Sequence, residues 1–351
     1  MTRPKNVIGG VDTHSSTHHA AVIDLNGREL GDKEFQATQA GYDALRRWLS
    51  GFGTIQSVGI EGTGSYGAGL ARDLSSHGIN VQEVPCPDRR SRRLAGKSDP
   101  QDARTAAHTV LAGNASTAPK YGDGPVEAIR AVRVARLGAI KAKTAAMNSL
   151  RALMVTAPES LRAQLRGLPA AKLVHTCAGF RTGTSAPEDV VALTKTALKS
   201  VARRIESLGA EAKALHTTLA RLTAAAAPET SAVFALGPDT VAALITAVGD
   251  NPDRLRSESA FARLTGTAPI PASSGKTNRF RLHRGGNRAA NSALHIAVIV
   301  RLRYDPKTRD YAAKRTRDGL SKPEIIRCLK RYLVREVFKA LKKDYGAILS
   351  T

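Results

Sequence analysis

The chain of 351 residues carries 53 Lys and Arg against 30 Asp and Glu, a formal charge of +23 with an isoelectric point near 10.4. That length allows two or three domains with separate cores, and that field attracts polyanions, nucleic acid before all others. There is no apolar run of about 18 residues and no signal-peptide core, which excludes membrane insertion and predicts a cytoplasmic, nucleoid-associated protein.

Strand and helix patterns alternate through the first part of the chain. In "VIGGVDTHSSTHHAAVID" (7–24), Val7, Ile8 and Val11 mark a strand near 7–12, where Gly9 and Gly10 let another backbone approach closely. Further strands are predicted near 20–25 and 30–36, then a helix around Tyr42, Leu45 and Trp48 and the strand "SVGIE". A helix near 66–77 and the strand "INVQEV" at 79–84 follow. Three hairpin-like strands followed by αβαβ predict an α/β domain with a mixed sheet over residues 1–120. Residues 86–104 read as a basic loop, with Arg89, Arg90, Arg92, Arg93 and Lys97, running into a helix that starts near Pro100.

Residues 121–227 are rich in Ala, Leu, Arg and Lys and predict a helical arm, with one helix over 126–155. In its second half Leu198, Val201, Ile205, Leu208, Ala212, Leu215, Leu219 and Leu222 recur at alternating gaps of three and four, a heptad seam. A capping-box pattern from Ser185 to Glu188, with Pro187 between, predicts where that helix begins. An antiparallel helical hairpin within one chain and a dimerising coiled coil both satisfy the seam.

Residues 228–351 predict a basic, mainly helical domain. Within 276–351 there are 20 Lys and Arg against 6 Asp and Glu, so this stretch holds +14 of the total charge and suits nucleic-acid contact. The segment "FALGPDTVAALITAVGD" predicts two helices around a Gly237–Pro238 turn able to present amides to a phosphate. An aromatic content of 4% argues against a platform that stacks many single-stranded bases and for contacts to backbone and duplex shape.

Four acids stand out against this basic background. Asp12 and Glu61 each end an apolar strand run, and Glu61 precedes the flexible "GTGSYG". Asp99 and Asp102, in "KSDPQDA", share one face of a helix start, where the helix dipole tolerates negative charge. Singly, each has a structural reading: a strand end beside a turn for Asp12, an N-cap for Asp99. Together they can converge, and four carboxylates in a dry site require cations. Mg²⁺ is the natural choice, and two such ions about 4 Å apart stabilise both the attacking and leaving oxygens of phosphodiester transfer. His14, His18 and His19 lie nearby at spacings that do not suit tetrahedral zinc, and Cys86, Cys177 and Cys328 are scattered, which predicts reduced, structural thiols.

Asp12 in "GVDTH", Glu61 in "IEGTGSYG" and Asp99 with Asp102 in "KSDPQDA" occur in an order that resembles the DEDD insertion-sequence transposases of the one-ten family. A second segment, "FARLTGTAPIPASSGKTNRFRLHRGGNRAANSALH", resembles the family's C-terminal signature. The resemblance covers nearly the whole chain. It implies a RuvC-like domain of the RNase H type over 1–120, a coiled-coil arm over 121–227 and a transposase domain over 228–351. It implies a metal site of Asp12, Glu61, Asp99 and Asp102 and a serine nucleophile at Ser274, with Ser273 its competitor. On residues alone "ASSG" reads equally as a phosphate-binding turn. Lys276, Arg279, Arg281, Arg284 and Arg288 are the expected nucleic-acid contacts of this segment, beside Arg89 to Lys97 in the first. Further implied partners are DNA at element ends and target, a structured noncoding bridge RNA that selects sequence by base pairing, and further copies of the chain, as a dimer or a tetramer in the synaptic complex. Ala235 stands where relatives often have glycine, and Arg284 where many have lysine.

Three other readings fit parts of the sequence. A junction-resolving endonuclease on the same N-terminal fold would use metal-activated water and no serine. "GGVDTHSS" also resembles the phosphate-binding hairpin of sugar-kinase and chaperone-type ATPases, and a nuclease-dead nucleic-acid scaffold would need only the basic charge.

Overall fold

The first structural element already shows why its glycines are there. In the computed structural model β1 (Asn6–Thr13) lies mid-sheet, with β2 (Thr17–Asp24) antiparallel on one side and β4 (Thr54–Glu61) parallel on the other. β3 (Glu29–Gln36) and β5 (Val81–Val84) complete a mixed sheet of order β3-β2-β1-β4-β5, with α1 (Gln39–Ser50) and α2 (Ala68–Ser76) connecting its strands. The strands fall where alternation and β-branched residues predict them, with ends moved by a few positions. The structure describes residues 6–84, 98–115, 118–120, 122–183, 186, 188–251, 255–273, 280–283 and 285–348. Two compact units divide the chain: Met1–Gly124 with Val248–Arg254, and Pro125–Ala247 with Leu255–Thr351.

In the first unit the period-2 alternation of β1 and β4 sorts their side chains between two layers. Val7, Val11, Val58 and Ile60 pack on Leu45 and Leu49 of α1 and Leu70 and Leu74 of α2. These four leucines are fully buried, and each contributes about 2 kcal/mol of apolar burial. Ile8 and, from β2, Ile23 pack on Ala106, Ala107 and Val110 of α3 (Asp99–Leu111) on the opposite face. Gly10 and Gly59 belong to that face too. A Cβ on Gly10 would overlap the Ala103 carbonyl and the Ala107 amide, and one on Gly59 would come within 2.6 Å of Val110 and 2.9 Å of the Ala106 carbonyl. The helix therefore lies directly on the strand backbones. Gly10→Ala is expected to destabilise the unit by about 3 kcal/mol, because only backbone stands in the way and backbone cannot rotate aside. A urea melt of the variant checks this, and a change below about 0.5 kcal/mol would refute the close approach.

In the second unit α4 (Pro125–Thr156) and α7 (Val190–Ala226) pack antiparallel. Ala146 and Leu150 of α4 meet Leu198, Ala202 and Ile205 of α7, and Lys143 lies against Gly209. The short helices α5 (Glu159–Leu165) and α6 (Ala170–Ala178) close the end of the pair with Leu161, Leu165, Leu173 and Cys177. The seam is buried at Leu198, Ile205 and Leu219 and half-buried at Val201, Leu208, Ala212, Leu215 and Leu222. The predicted capping box is corrected: α7 starts at Val190, and Asp189 caps it by accepting from the Ala192 amide at 2.9 Å. Ser185 lies outside the described residues. Asp189 prevails because it directly precedes the first apolar turn.

Beyond the arm come α8 (Pro228–Ser231) and α9 (Pro238–Val248). The buried carboxylate of Asp344 ties α8 down, accepting from the amides of Glu229 and Thr230 and the hydroxyl of Thr230 at 2.6–3.0 Å. Between the two helices Ala235 has φ of 72°, the left-handed conformation that glycine adopts without cost. Then follow α10 (Glu258–Leu264), a two-stranded antiparallel ribbon of β6 (Pro269–Pro271) and β7 (Phe280–Leu282), α11 (Arg288–Tyr304), α12 (Pro306–Arg317) and α13 (Lys322–Ile348). Among the described residues the C-terminal region is thus helical apart from one ribbon. No helix among the described residues is long and apolar enough to cross a membrane.

Candidate functional site

The alternation that puts Gly10 and Gly59 against α3 also aims the next residues on the same face, Asp12 and Glu61, toward the start of that helix. The two acids end neighbouring parallel strands, one step beyond the Val11–Ile60 pair. Their strand ends are joined by the Thr13 hydroxyl, which donates to the Glu61 carbonyl at 2.8 Å. Directly after Glu61, Gly62 has φ of 72° and starts the turn that leads to α2. On α3 the N-cap position belongs to Ser98, so the reading of Asp99 as an N-cap is corrected. Asp99 is the first helical residue, followed by Pro100, and its carboxylate is free to face β1. Arg104 pins the helix to the sheet by pairing with Glu29 at 2.7 Å and Asp32 at 3.2 Å on β3.

At the centre of this arrangement is His14. Its Nε2 lies 3.3 Å from Asp12 Oδ2 and 3.3 Å from Asp99 Oδ1, so one carboxylate oxygen from each acid and one imidazole nitrogen gather within 4.8 Å. Asp12 is only 7% exposed, and Asp12 Oδ2 and His14 Nε2 are buried without a hydrogen-bond partner. Orphaned polar atoms of this kind are costly unless a ligand meets them. Burial holds the Asp12 carboxyl above the ordinary carboxylate range; His14 opposes that shift, while the charges of Glu61, Asp102 and Asp99 add to it. All four acids therefore act on one spot, where a cation would relieve their mutual repulsion. An oxygen-rich donor set with one imidazole fits a hard or borderline divalent cation such as Mg²⁺ or Mn²⁺.

Sequence reasoning missed His14 because it tested the histidines only for a zinc set. The usable signal was its position two residues after Asp12, which at a strand end returns to the same face. The other two histidines are engaged on β2. His18 is buried, stacks on Tyr42 and bonds the Thr17 carbonyl through Nδ1, while His19 Nε2 pairs with Asp32 at 2.7 Å. Of the remaining expected site residues, Arg281 lies on β7 and Arg288 opens α11, both exposed, and Ser273 is exposed as well. Arg89, Arg90, Arg92, Arg93, Lys97, Ser274, Lys276, Arg279 and Arg284 lie outside the described residues.

Comparison with known families gives two matches. A family model described as a transposase of the DEDD IS110 type matches residues 9–157, a span that includes all four acids and α3. A second, described as the transposase IS116/IS110/IS902 family, matches residues 231–313 and so includes Ser273, Ser274 and the ribbon. No curated protein matches the chain. The two spans together cover about two thirds of the sequence, in the order in which the acidic and serine-containing segments occur, and the chain belongs to the IS110-type family of insertion-sequence transposases, enzymes that recombine DNA.

Proposed function

We propose that this transposase excises and integrates its insertion sequence by metal-dependent strand cleavage and exchange, with Asp12, Glu61, Asp99 and Asp102 holding divalent metal in a RuvC-like domain of the RNase H type. The observation that supports this reading is the cluster of the buried Asp12 with His14 and Asp99, on which Glu61 and Asp102 also act through their charge. Mg²⁺ bound there, as one ion or two, would neutralise charge that develops on the phosphate during transfer. Ser274 is the nucleophile: its oxygen bonds to phosphorus, the phosphorus–oxygen bond to the neighbouring sugar breaks, and the serine proton ends on the departing hydroxyl. Attack by a second strand's hydroxyl on the phosphoserine reverses the step and joins new ends. Ser274 lies between 172 and 262 positions along the sequence from the acids, which suits a composite site completed by another copy of the chain.

The basic side chains position the polyanion. Arg89, Arg90, Arg92, Arg93 and Lys97 hold it near the acids, and Lys276, Arg279, Arg281, Arg284 and Arg288 hold it near Ser274. Oligomer formation is supported by Val134, Leu137 and Ile140, which α4 leaves exposed midway along the arm. A structured RNA encoded beside the reading frame guides the enzyme to donor and target. Purified protein, element-end DNA, target DNA and the transcribed flanking RNA, combined with Mg²⁺, are expected to give sequenced exchange junctions. Junctions formed equally well without the RNA would remove the guided reading, and simple hydrolytic nicking in their place would favour the junction-resolving endonuclease.

A further inference from the structure

A cleft of about 490 Å³ lies in the second unit between the β6–β7 ribbon and α13, and of its lining residues only Arg281 figures in the scheme above. Its volume is in the range of about 300–1,000 Å³ typical of small-ligand sites. Arg281, Arg327, Lys330, Arg331 and Arg335 line it, against a single carboxylate, Glu324. Some of this charge is already matched. Arg331 and Arg335 pair with Glu258, and Arg327 reaches Glu324 at 3.8 Å. Among the described residues neither Arg281 nor Lys330 has a carboxylate partner.

Lys330 is the telling member, because its side chain is only 7% exposed and its ammonium donates to a neutral acceptor, Asn291 Oδ1, at 2.5 Å. That acceptor is held in place from behind. The Asn291 amide donates to the carbonyls of Thr265 and Gly266 at 2.8 and 3.0 Å, which turns its oxygen toward the lysine. Gly266, with φ of 65°, also lies backbone to backbone against Gly286. A buried ammonium with only a neutral partner leaves a positive charge for an anion to meet.

The walls add rings to this charge. Phe280 is 61% and Tyr332 47% exposed, both line the cleft, and the Arg335 guanidinium lies 5.5 Å from the Tyr332 ring centre. In a chain with 4% aromatic residues, two exposed rings beside an uncompensated ammonium form a combination suited to a planar base joined to a phosphate. The segment 272–279, which joins the two strands of the ribbon, carries Ser274, three residues along the chain from Pro271.

We infer that this cleft is a nucleotide pocket that takes one unpaired residue of a nucleic-acid strand, its phosphate at Lys330 and Arg281 and its base against Tyr332 or Phe280. The inference rests on the reading that this chain handles nucleic acid, and it assigns Lys330, Tyr332 and Phe280 a part in holding a strand. It requires neither metal nor covalent chemistry.

The test uses the full chain carrying Ser274→Ala, in EDTA, with single-stranded oligonucleotides of about 12 residues bearing one 2-aminopurine, as DNA and as RNA. Binding is expected to quench the 2-aminopurine by stacking. Tyr332→Ala and Phe280→Ala, both at exposed rings, are expected to weaken single-strand binding by about tenfold each and to relieve the quench. Lys330→Met is expected to lower the salt dependence of binding by about one phosphate contact. Tighter binding of DNA would assign the pocket to the cleaved strand, and tighter binding of RNA to a guide. The inference is overturned if both ring variants bind and quench like the parent, or if they weaken a blunt duplex as much as a single strand. Loss of the covalent adduct reports on Ser274 alone, so failure of the pocket and failure of the serine chemistry are separable.

Discussion

Asp12→Asn is expected to reduce strand transfer by about a thousandfold or more while raising the melting temperature of the metal-free protein. Both effects come from one cause. The folded state holds this carboxyl above its ordinary range, first through burial and then through the charges of Glu61, Asp102 and Asp99. A carboxyl so raised binds its proton more tightly in the folded than in the unfolded chain. Stability therefore falls as pH rises from the ordinary carboxylate range through the folded value, and the penalty persists at neutral pH. Asparagine keeps the shape and drops the charge, which is expected to return about 1 kcal/mol, or about 2 °C. Mg²⁺ at ten times its dissociation constant is expected to stabilise the parent by about 1.4 kcal/mol and the variant by much less. Thermal melts in EDTA and in Mg²⁺ measure both quantities. A variant less stable than the parent in EDTA, yet still stabilised by Mg²⁺, would contradict a metal site at Asp12.

Ser274→Ala is expected to abolish the covalent protein–DNA adduct while leaving DNA binding and the Mg²⁺-dependent melting shift intact. Ser274 falls in the second unit and the acids in the first, so loss of chemistry without loss of metal response is the signature of a nucleophile. Ser273→Ala serves as the control, since Ser273 is the nearest alternative hydroxyl and is exposed. Denaturing gels of the reaction with end-labelled element DNA show the adduct as a slow band. Continued cleavage by Ser274→Ala at parental rate would mean that water attacks, and the chain would then act as a junction-resolving endonuclease. An adduct that persists in Ser274→Ala and disappears in Ser273→Ala would move the nucleophile by one residue.

Much of the first unit can be read from local pattern. Alternation of apolar residues in 7–12 and 57–61 marks the strands, and the same alternation puts Gly10 with Asp12 and Gly59 with Glu61 on one face. The spacing of Asp99 and Asp102 places both on one side of a helix start before any packing is known. His14 was harder to see because its role comes from a partner 85 positions away, Asp99, whose approach depends on where α3 settles. The start of α7 was misplaced for a related reason. The capping pattern at Ser185 stands four residues before the cap that the structure uses, Asp189, beside the first apolar turn.

The sequence by itself determined the strand and helix pattern of the first unit, the two long helices of the arm, the concentration of positive charge toward the C-terminus, and four acids at element ends. Only the tertiary structure decided that α3 lies on the glycine face of the sheet, that His14 stands between Asp12 and Asp99, and that Lys330 is buried in a ring-lined cleft beside the ribbon. The physical reason is range. Side-chain direction along a strand or helix follows from the period of that element alone, whereas which faces meet depends on the packing of elements far apart in the chain. Here glycines at positions 10 and 59 leave room for a helix to approach to backbone contact, and that helix carries Asp99 to the His14 that also meets Asp12.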